Sequence, residues 1–366
     1  MKRLLCLISC MNSGGAETFL MKVYRNIDRT KYQMDFCVNV FEKGFYDDEI
    51  ESMGGKIYHI PPKSSDIVEY RKQLANVVKE GQYRSVFRIT SSAAGFMDLK
   101  ISKKAGAVRC CARSSNSSDG GSLKSLIVHR LGRLMYGKYV DVKIAPSDLA
   151  ARYTFGQKAY DRGEVHILHN AVDLSTYKYS LEERQKIRKE FNIHQGAILV
   201  GHIGRFDAQK NHEFLLCIFA QIIEQRSDAK LLLIGKGPLE DTVRVVVGKL
   251  GLTDRVIFAG VRSDVPKLLS AMDVLVFPSL YEGMPNVVIE AQASGLPCVI
   301  SNTITREADI TGLVEYHSLS ERADVWARAA VSKAGVVRTD RTEQFLAAKY
   351  DIQSVADEFI KLTMGE

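Results

Sequence analysis

Two glutamates, Glu282 and Glu290, lie eight residues apart with a Gly-x-Pro break between them, directly after the apolar run 273–278. The run has the composition of a buried parallel strand, and Pro285 suits the first position of a helix that continues to residue 293. Glu282 is then expected in a strand-to-helix loop, and Glu290 about one turn into the helix. Helix amides bind anions at the carboxyl edge of a parallel sheet. This loop and helix could therefore bind a sugar diphosphate. The diphosphate would lie on the first amides of the helix, and the two carboxylates would accept hydrogen bonds from sugar hydroxyls.

Two cations, Arg205 and Lys210, follow another strand-like run, residues 197–204. Both would project from the carboxyl end of that strand. Departure of a nucleoside diphosphate develops negative charge on phosphate oxygens, which two fixed cations can neutralise through charge-assisted hydrogen bonds worth about 1.5–3 kcal/mol each. The sequence has no Asp-x-Asp pair, which favours these cations over a carboxylate-bound metal. We therefore expect neither a metal nor a cofactor. The alternative for Arg205 and Lys210 is that both are solvated residues of a loop.

A glycine pair, Gly14 and Gly15, separates the first predicted strand from the first predicted helix. Without β-carbons, such a loop lets a ligand approach the backbone and the helix amides. The structural alternative is a tight turn that requires positive φ. Neither this loop nor the segment from Gly235 to Glu240 contains Gly-x-Gly-x-x-Gly. This argues against a dinucleotide cofactor and an NAD-dependent oxidoreductase.

The bulk composition describes a soluble, two-domain protein. The chain has 366 residues, of which 46% are hydrophobic and 25% are charged, ordinary values for globular proteins of this size. A net charge of +7 is modest and gives no indication of nucleic-acid binding. Seven cysteines without a Cys-x-x-Cys pair, and the lack of a signal-peptide core or a ~20-residue apolar span, favour the cytoplasm.

Strand-like and helix-like segments alternate along the chain, which predicts parallel, doubly wound α/β sheets. The alternation restarts after a helical segment at residues 181–191, so a second Rossmann-like domain is expected. The first set of predicted strands covers residues 2–10, 34–40, 56–60, 85–90 and 142–145, and the second covers 197–204, 230–234, 256–258, 273–277 and 297–300.

The string Pro278-Ser-Leu-Tyr-Glu-Gly-Met-Pro285, followed by Glu290-Ala291 and Gly295-Leu-Pro297, resembles the signature of the retaining glycosyltransferases of family 4, of the polysaccharide-biosynthesis type. The resemblance covers nearly the whole chain. It implies the GT-B fold, an α/β architecture in which two Rossmann-like domains face each other across a cleft and the C-terminal helix crosses back to the first domain. The implied acceptor domain comprises 1–172 and 350–366, and the implied donor domain comprises 173–349.

The resemblance also implies roles for individual residues. The implied catalytic residues are Arg205, Lys210 and Glu282. The implied donor-binding residues are Gly15, Gly237, Val261, Arg262, Gly283, Met284, Pro285, Asn286, Val287 and Glu290. The implied acceptor-side residues are Gly14, Arg113, Ser115 and Asn116. Many relatives carry a His-Ser-His-Asn string in the segment that here ends with Arg113-Ser114-Ser115-Asn116. Both histidines are missing from this sequence. No general base is therefore assigned; such enzymes are described as letting the departing phosphate help to take the acceptor proton.

The resulting hypothesis is a metal-independent transfer from a UDP-sugar to a saccharide or polyprenyl-linked acceptor during synthesis of a bacterial surface polysaccharide, such as capsule or exopolysaccharide. One alternative is a nucleotide-sugar epimerase on the same scaffold. Another is a non-catalytic UDP-binding partner of a polysaccharide assembly complex, which the missing histidines would suit.

A helix predicted at residues 123–139 carries a broad apolar arc of Leu123, Ile127, Leu131, Leu134 and Met135, while His129, Arg130 and Arg133 share another arc. An ordinary helix packed through its apolar arc, with the charged arc in solvent, is the common structure for such a pattern. The alternative is a helix that lies on a membrane surface, at the inner face of the cell membrane.

Overall fold

The computed structural model describes residues 1–12, 14–115 and 123–365. The chain forms two compact units: Met1–Ala171 together with Lys349–Glu366 make up unit 1, and Val172–Ala348 makes up unit 2. Each boundary lies one residue from the position expected from the sequence. None of the described helices is both long enough and apolar enough to cross a bilayer.

Unit 1 is built on a parallel sheet of seven strands in the order β3-β2-β1-β4-β5-β6-β7. The strands are β1 (Lys2–Ile8), β2 (Tyr32–Val38), β3 (Ile57–His59), β4 (Ser85–Thr90), β5 (Arg109–Ser114), β6 (Val142–Ala145) and β7 (Val165–Ile167). The helices are α1 (Gly15–Asn26), α2 (Asp47–Ser52), α3 (Ile67–Glu80), α4 (Phe96–Lys104), α5 (Leu123–Tyr136), α6 (Asp148–Phe155) and α7 (Gln157–Asp161). Along β1, Leu4, Cys6 and Ile8 join one core cluster, whereas Leu5 and Leu7 join another. The sheet is therefore buried on both faces, as parallel sheets are.

Unit 2 contains a parallel sheet of six strands in the order β10-β9-β8-β11-β12-β13. The strands are β8 (Leu199–Ile203), β9 (Lys230–Ile234), β10 (Val256–Gly260), β11 (Val274–Phe277), β12 (Cys298–Ser301) and β13 (Val314–His317). The helices are α8 (Leu174–Tyr177), α9 (Leu181–Glu190), α10 (His212–Gln225), α11 (Glu240–Lys249), α12 (Val265–Ala271), α13 (Asn286–Ala293), α14 (Ala323–Ala334) and α15 (Thr342–Ala347). The strand order reverses between β8 and β11, and ligands of open α/β sheets bind beyond the carboxyl ends of the strands at such a reversal.

Asp273 fixes β11 against β8 at the amino ends of the two strands. Its amide donates to Leu199 O at 2.8 Å, and its carboxylate accepts from Leu199 N at 2.7 Å. Arg184 and Arg188 of α9 bind the same carboxylate at 2.7 and 2.5 Å. Burial lowers the pKa of Arg188, and the Asp273 charge opposes that effect. The carboxylate therefore ties a helix and two central strands together.

The last helix, α16 (Ile352–Ile360), packs in unit 1, and a π-helical turn, Lys361–Gly365, extends it. Asp351 caps its start by accepting a hydrogen bond from Ser354 N at 2.8 Å. The fully buried Phe359 ring contacts Phe87 and Phe19 edge-on, with centroid distances of 4.9 and 6.1 Å. The C-terminal helix thus completes the core of the first unit.

Helix α5 is oriented differently from an ordinary packed helix. Its buried residues are His129 and Gly132, and a β-carbon on Gly132 would lie 2.6 Å from Ala94 N, so the helix backbone lies against the segment that follows β4. Six apolar side chains of the helix are instead exposed by half or more: Leu123, Ile127, Val128, Leu131, Leu134 and Met135. The expectation that the apolar arc packs inward is therefore wrong, because the close contact at Gly132 sets the buried face.

Replacing Phe359 with Ala should lower the free energy of unfolding by about 3–5 kcal/mol, because a large buried ring leaves a cavity in the core of unit 1. Urea unfolding of the full chain measures the change. Gln353→Ala, at an exposed position of the same helix, should cost no more than about 0.5 kcal/mol. Equal losses in the two variants would contradict the packing described for α16.

Candidate active site

The loop after β8 turns Lys210 back toward the end of its own strand. A 3-10 turn, Ala208–Lys210, begins at Asp207, whose carboxylate accepts from Lys210 N at 3.3 Å. Asn211 then takes a left-handed conformation with φ of 54° and leads into α10. A β-carbon on Gly204 would lie 3.1 Å from the Lys210 side chain, so the stem of this lysine lies across a glycine.

Lys210 and Glu282 form an ion pair between the loops that follow β8 and β11. Lys210 Nζ lies 2.5 Å from Glu282 Oε1, and the two side chains are only 16% and 11% exposed. The ammonium also lies 4.7 Å from the centre of the Phe277 ring, in cation–π range. Two predicted catalytic residues from different strands are thus brought into direct contact. Arg205, the third, is exposed, and its side chain makes no ion pair with any described residue.

Two hydrogen bonds to backbone carbonyls hold the same two loops together. Leu280 N donates to Gln209 O at 2.8 Å, and the Gln209 side-chain amide donates to Tyr281 O at 2.8 Å. These hydrogen bonds set the distance between the loops after β8 and β11. The ion pair forms between loops that are already held together.

Gly235 and Gly237 allow the loop after β9 to lie against the loop after β8. A β-carbon on Gly235, which has φ of 136°, would lie 2.1 Å from Gly204 O. One on Gly237 would lie 2.5 Å from Phe206 O. Real β-carbons do not approach backbone so closely, so both positions need glycine for packing. The predicted donor contact of Gly237 remains a prediction.

Helix α13 begins at Asn286, with Pro285 as its N-cap rather than its first residue. Pro285 O accepts from the amides of Val288 and Ile289. The amides at the start of a helix have no acceptor within the helix, and the helix dipole makes this end favourable for an anion. The preceding bend is formed by Gly283 and Met284, and the first helical turn, which includes Val287, has no acidic residue.

Glu290 lies on α13 and interacts with Tyr177 of α8. Burial raises the pKa of the Tyr177 hydroxyl, and the Glu290 charge and a hydrogen bond to Glu290 raise it further. The tyrosine is therefore a neutral donor that orients the carboxylate. Nothing in the sequence near Glu290 points to this partner, which lies more than a hundred residues earlier.

Val261 and Arg262 follow β10 and differ in their surroundings. Val261 is 74% exposed. Arg262 binds Glu190 and Asp264, each at 2.7 Å, and hydrogen bonds to Asp264 and then Glu190 raise its pKa. These ion pairs account for the position of the arginine without a ligand, and the donor roles of both residues stay predictions.

In unit 1 the glycine pair lies at the start of α1. Gly14 has φ of −83° and Gly15 is the first helical residue, so a requirement for positive φ, the structural alternative, is wrong for both. A β-carbon on Gly15 would meet no atom within 4 Å. There is therefore free space at Gly15, whereas the Glu17 side chain lies against Gly14.

The acceptor-side residues at the end of β5 and just after it have different environments. Arg113 is buried, donates to Leu168 O at 3.2 Å and to Asn170 Oδ1 at 2.8 Å, and lies over the Phe19 ring at 3.7 Å. Burial lowers the pKa of Arg113 to about 9. Ser115 is partly buried, and its amide donates to Thr90 O at 2.9 Å. Asn116 lies outside the described residues.

Residues 197–331 match the family model described as glycosyl transferases group 1. A putative glycosyltransferase of Bacillus subtilis, EpsF, is 35% identical over 360 residues, which cover 96% of this chain and 94% of the relative. The chain belongs to the group 1 glycosyltransferase family. A further relative of this glycosyltransferase is the Escherichia coli UDP-Gal:alpha-D-GlcNAc-diphosphoundecaprenol alpha-1,3-galactosyltransferase, which is 31% identical over 145 residues, 39% of this chain and 38% of that protein.

Comparison with solved structures shows that this glycosyltransferase has the GT-B fold. HepE of Anabaena, crystallised with UDP, has a TM-score of 0.80 at 18% identity, with 100% of both chains covered. A glycosyltransferase of Rickettsia africae also has a TM-score of 0.80, at 15% identity, with 100% of this chain and 98% of that one covered. At these low sequence identities, the similarity to both structures concerns the fold alone.

Beneath the ion pair, this glycosyltransferase buries two histidines that the sequence analysis missed. His202 Nδ1 lies 2.9 Å from Val276 O, and because a carbonyl only accepts, this nitrogen carries the proton. His202 Nε2 and both ring nitrogens of His212 have no hydrogen-bond partner among the described residues. The sequence offers one signal for these two histidines, which is that His212 lies two residues after Lys210.

Aromatic rings enclose these two histidines. His212 stacks on Phe206 with centroids 4.4 Å apart, His202 stacks on Phe277 at 5.3 Å, and the two imidazoles meet edge-on at 4.9 Å. Burial lowers the pKa of His202 to about 3 and that of His212 to about 4, and the nearby Lys210 charge contributes. The floor under Lys210 is therefore polar but uncharged at neutral pH.

Replacing His212 with Phe should weaken the dependence of stability on pH between about 6.5 and 4. In that interval the unfolded chain binds a proton at His212 and the folded chain does not, so the wild-type free energy of unfolding falls as the pH falls. The contribution of this ring is on the order of 2–3 kcal/mol. Urea unfolding at pH 7 and pH 4.5 measures it. His194→Phe, at an exposed histidine, should keep the wild-type difference, and identical differences in all three proteins would contradict the burial of His212.

Proposed function

We propose that this glycosyltransferase moves a sugar, with retention of its anomeric configuration, from a UDP-sugar to a saccharide or polyprenyl-linked saccharide acceptor in the synthesis of a bacterial surface polysaccharide. The observation that carries the proposal is the ion pair of Lys210 and Glu282 between the loops at the carboxyl ends of β8 and β11, with Arg205 in the first of these loops. That edge, where the strand order reverses, is where open α/β sheets bind ligands.

Unit 2 would bind the donor. Arg205, Lys210 and the first amides of α13 would contact the diphosphate, because two cations and a helix N-terminus all favour the negative charge that grows as the sugar leaves. Glu290, oriented by Tyr177, would accept hydrogen bonds from the ribose hydroxyls. Glu282 would do the same for hydroxyls of the transferred sugar.

The nature of the donor and acceptor is inferred from the relatives. The E. coli relative is named for a UDP-sugar donor and a diphosphoundecaprenol-linked acceptor, and HepE was crystallised with UDP. The same two substrate classes are proposed for this chain. Gly14 and the partly buried Ser115 are proposed to serve the acceptor in unit 1, and Gly15 is proposed to contact the donor. Arg113 would act only by holding Asn170 and Leu168.

Retention is proposed to follow attack of the acceptor hydroxyl from the face that the diphosphate leaves. The bond between the anomeric carbon and the phosphate oxygen breaks, the bond to the acceptor oxygen forms on the same face, and the acceptor proton passes to the departing phosphate. This route requires no histidine base. It fits a site whose two buried histidines have pKa values lowered to about 3 and about 4 and pack among aromatic rings.

Arg205→Ala and Glu282→Ala should each lower turnover of the UDP-sugar by at least about 100-fold, the range seen when one charge-stabilising donor is removed from an active site. Release of UDP in the presence of acceptor measures the rate, and circular dichroism checks the fold. Arg226→Ala, before β9 at the opposite edge of the same sheet, is the matched control and should retain activity. Wild-type turnover in both site variants would remove the assignment. A rearranged sugar formed without acceptor would instead indicate an epimerase.

We further propose that α5 contacts the cytoplasmic face of a membrane that carries the lipid-linked acceptor. Leu123 and Leu134 are 77% and 79% exposed, an unusual position for leucines on a soluble helix. Exposed Lys124 and Arg130 lie on the same helix and would contact anionic headgroups.

Ile127→Asp combined with Leu134→Asp should reduce co-sedimentation with phosphatidylglycerol vesicles by severalfold, because two charges would enter the apolar surface. Val245→Asp, at an exposed apolar position of α11 in unit 2, is the control and should sediment like the wild type. Unchanged sedimentation of the double variant, or of Arg130→Glu with Arg133→Glu, would exclude this membrane contact.

A further inference from the structure

We infer that Glu282 is an exchangeable counter-ion of Lys210, and that this exchange makes the site prefer a nucleotide that still carries its sugar over the spent nucleotide. The inference rests on the proposed function and assigns a second role to a residue of the same site. It starts from an observation that simple donor binding does not explain: the residue proposed for the phosphates and the residue proposed for the sugar bind each other.

The lysine cannot easily move away from this pair. Its stem lies across Gly204, where even a β-carbon would come within 3.1 Å, and its ammonium lies over the fully buried Phe277 ring at 4.7 Å. Glu282 lies in a loop outside regular secondary structure and is followed by Gly283. When a phosphate oxygen reaches Lys210, the carboxylate is therefore the partner that must give way.

Displacement of Glu282 has a cost that depends on what arrives with the phosphate. Its side chain is 11% exposed, so water can replace the lost ammonium only in part. A free nucleoside diphosphate takes Lys210 and supplies no new donor for the carboxylate. A sugar nucleotide takes Lys210 and brings sugar hydroxyls, which can donate to Glu282. Displacement of Glu282 therefore opposes the binding of UDP. For the UDP-sugar, hydrogen bonds from the sugar hydroxyls to Glu282 offset the same cost.

Glu290 provides an internal comparison, because it is also a carboxylate of this edge and is bound by the neutral donor Tyr177. Converting Glu290 to Gln removes a predicted ribose acceptor and leaves the Lys210–Glu282 pair intact. Converting Glu282 to Gln removes the competitor for Lys210. The same chemical change at two positions eight residues apart should therefore affect UDP affinity in opposite directions.

The experiment is isothermal titration of the full chain with UDP and with whichever of UDP-glucose, UDP-galactose and UDP-N-acetylglucosamine the wild type turns over. Glu282→Gln should bind UDP about fivefold or more tightly than the wild type, with no comparable gain for the UDP-sugar. Glu290→Gln should bind both more weakly. Product inhibition by UDP should become stronger in Glu282→Gln by a similar factor.

A Lys210→Met background separates the exchange from a general effect of removing negative charge near a phosphate. In that background Glu282→Gln should leave UDP affinity unchanged, because no ammonium remains to be released. Unchanged or weaker UDP binding by Glu282→Gln alone, or an equal gain with Lys210 absent, would overturn the exchange while the wild type still transfers sugar. A wild type that binds neither UDP nor any UDP-sugar would remove the proposed function and the exchange with it.

Discussion

The pairing of β8 with β11 is the constraint on which the site of unit 2 depends. These two strands are neighbours in the sheet although β9 and β10 lie between them in sequence, and charged side chains bind across the pair at both ends. At the amino end, the Asp273 carboxylate holds Leu199 and two arginines of α9. At the carboxyl end, Lys210 binds Glu282. The amino-end cluster holds the two strands in register, and the carboxyl-end pair lies at the edge of the sheet where a ligand is proposed to bind.

The surroundings of the carboxyl-end pair combine close backbone packing with a floor of uncharged rings. Gly235 and Gly237 let the loop after β9 approach the loop after β8 to distances that a β-carbon would prevent, and Gly204 leaves room for the Lys210 stem. Below them, aromatic and imidazole rings exclude water from one side of Lys210. Charge interactions are stronger where water is excluded. The orphaned nitrogens of the two histidines are the cost of this arrangement, since buried polar atoms without partners are unfavourable.

Periodicity and local motifs were sufficient for the parts of the structure that are local. Strand β4 begins and ends where the sequence pattern predicts, and the loops bearing Arg205 and Glu282 follow predicted strands. The contacts that give these residues their character were not predictable in the same way. Tyr177 reaches Glu290 from a distant short helix, and Arg262 is held by Glu190 across more than seventy residues. On α5 the apolar pattern alone gave the wrong buried face, because the decisive feature is the absence of a side chain at Gly132.

The return of α16 to unit 1 has a consequence for biosynthesis. Unit 2 is continuous in sequence, whereas unit 1 needs residues from both sides of it, including Phe359 at the centre of its core. Domains fold as units while a chain emerges from the ribosome. The last segment of unit 1 leaves the ribosome only after the whole of unit 2, so the second unit can fold while the first still lacks a helix. Until then the apolar surface around Phe19 and Phe87 stays uncovered, and it is the part of the nascent chain that a chaperone would be expected to bind.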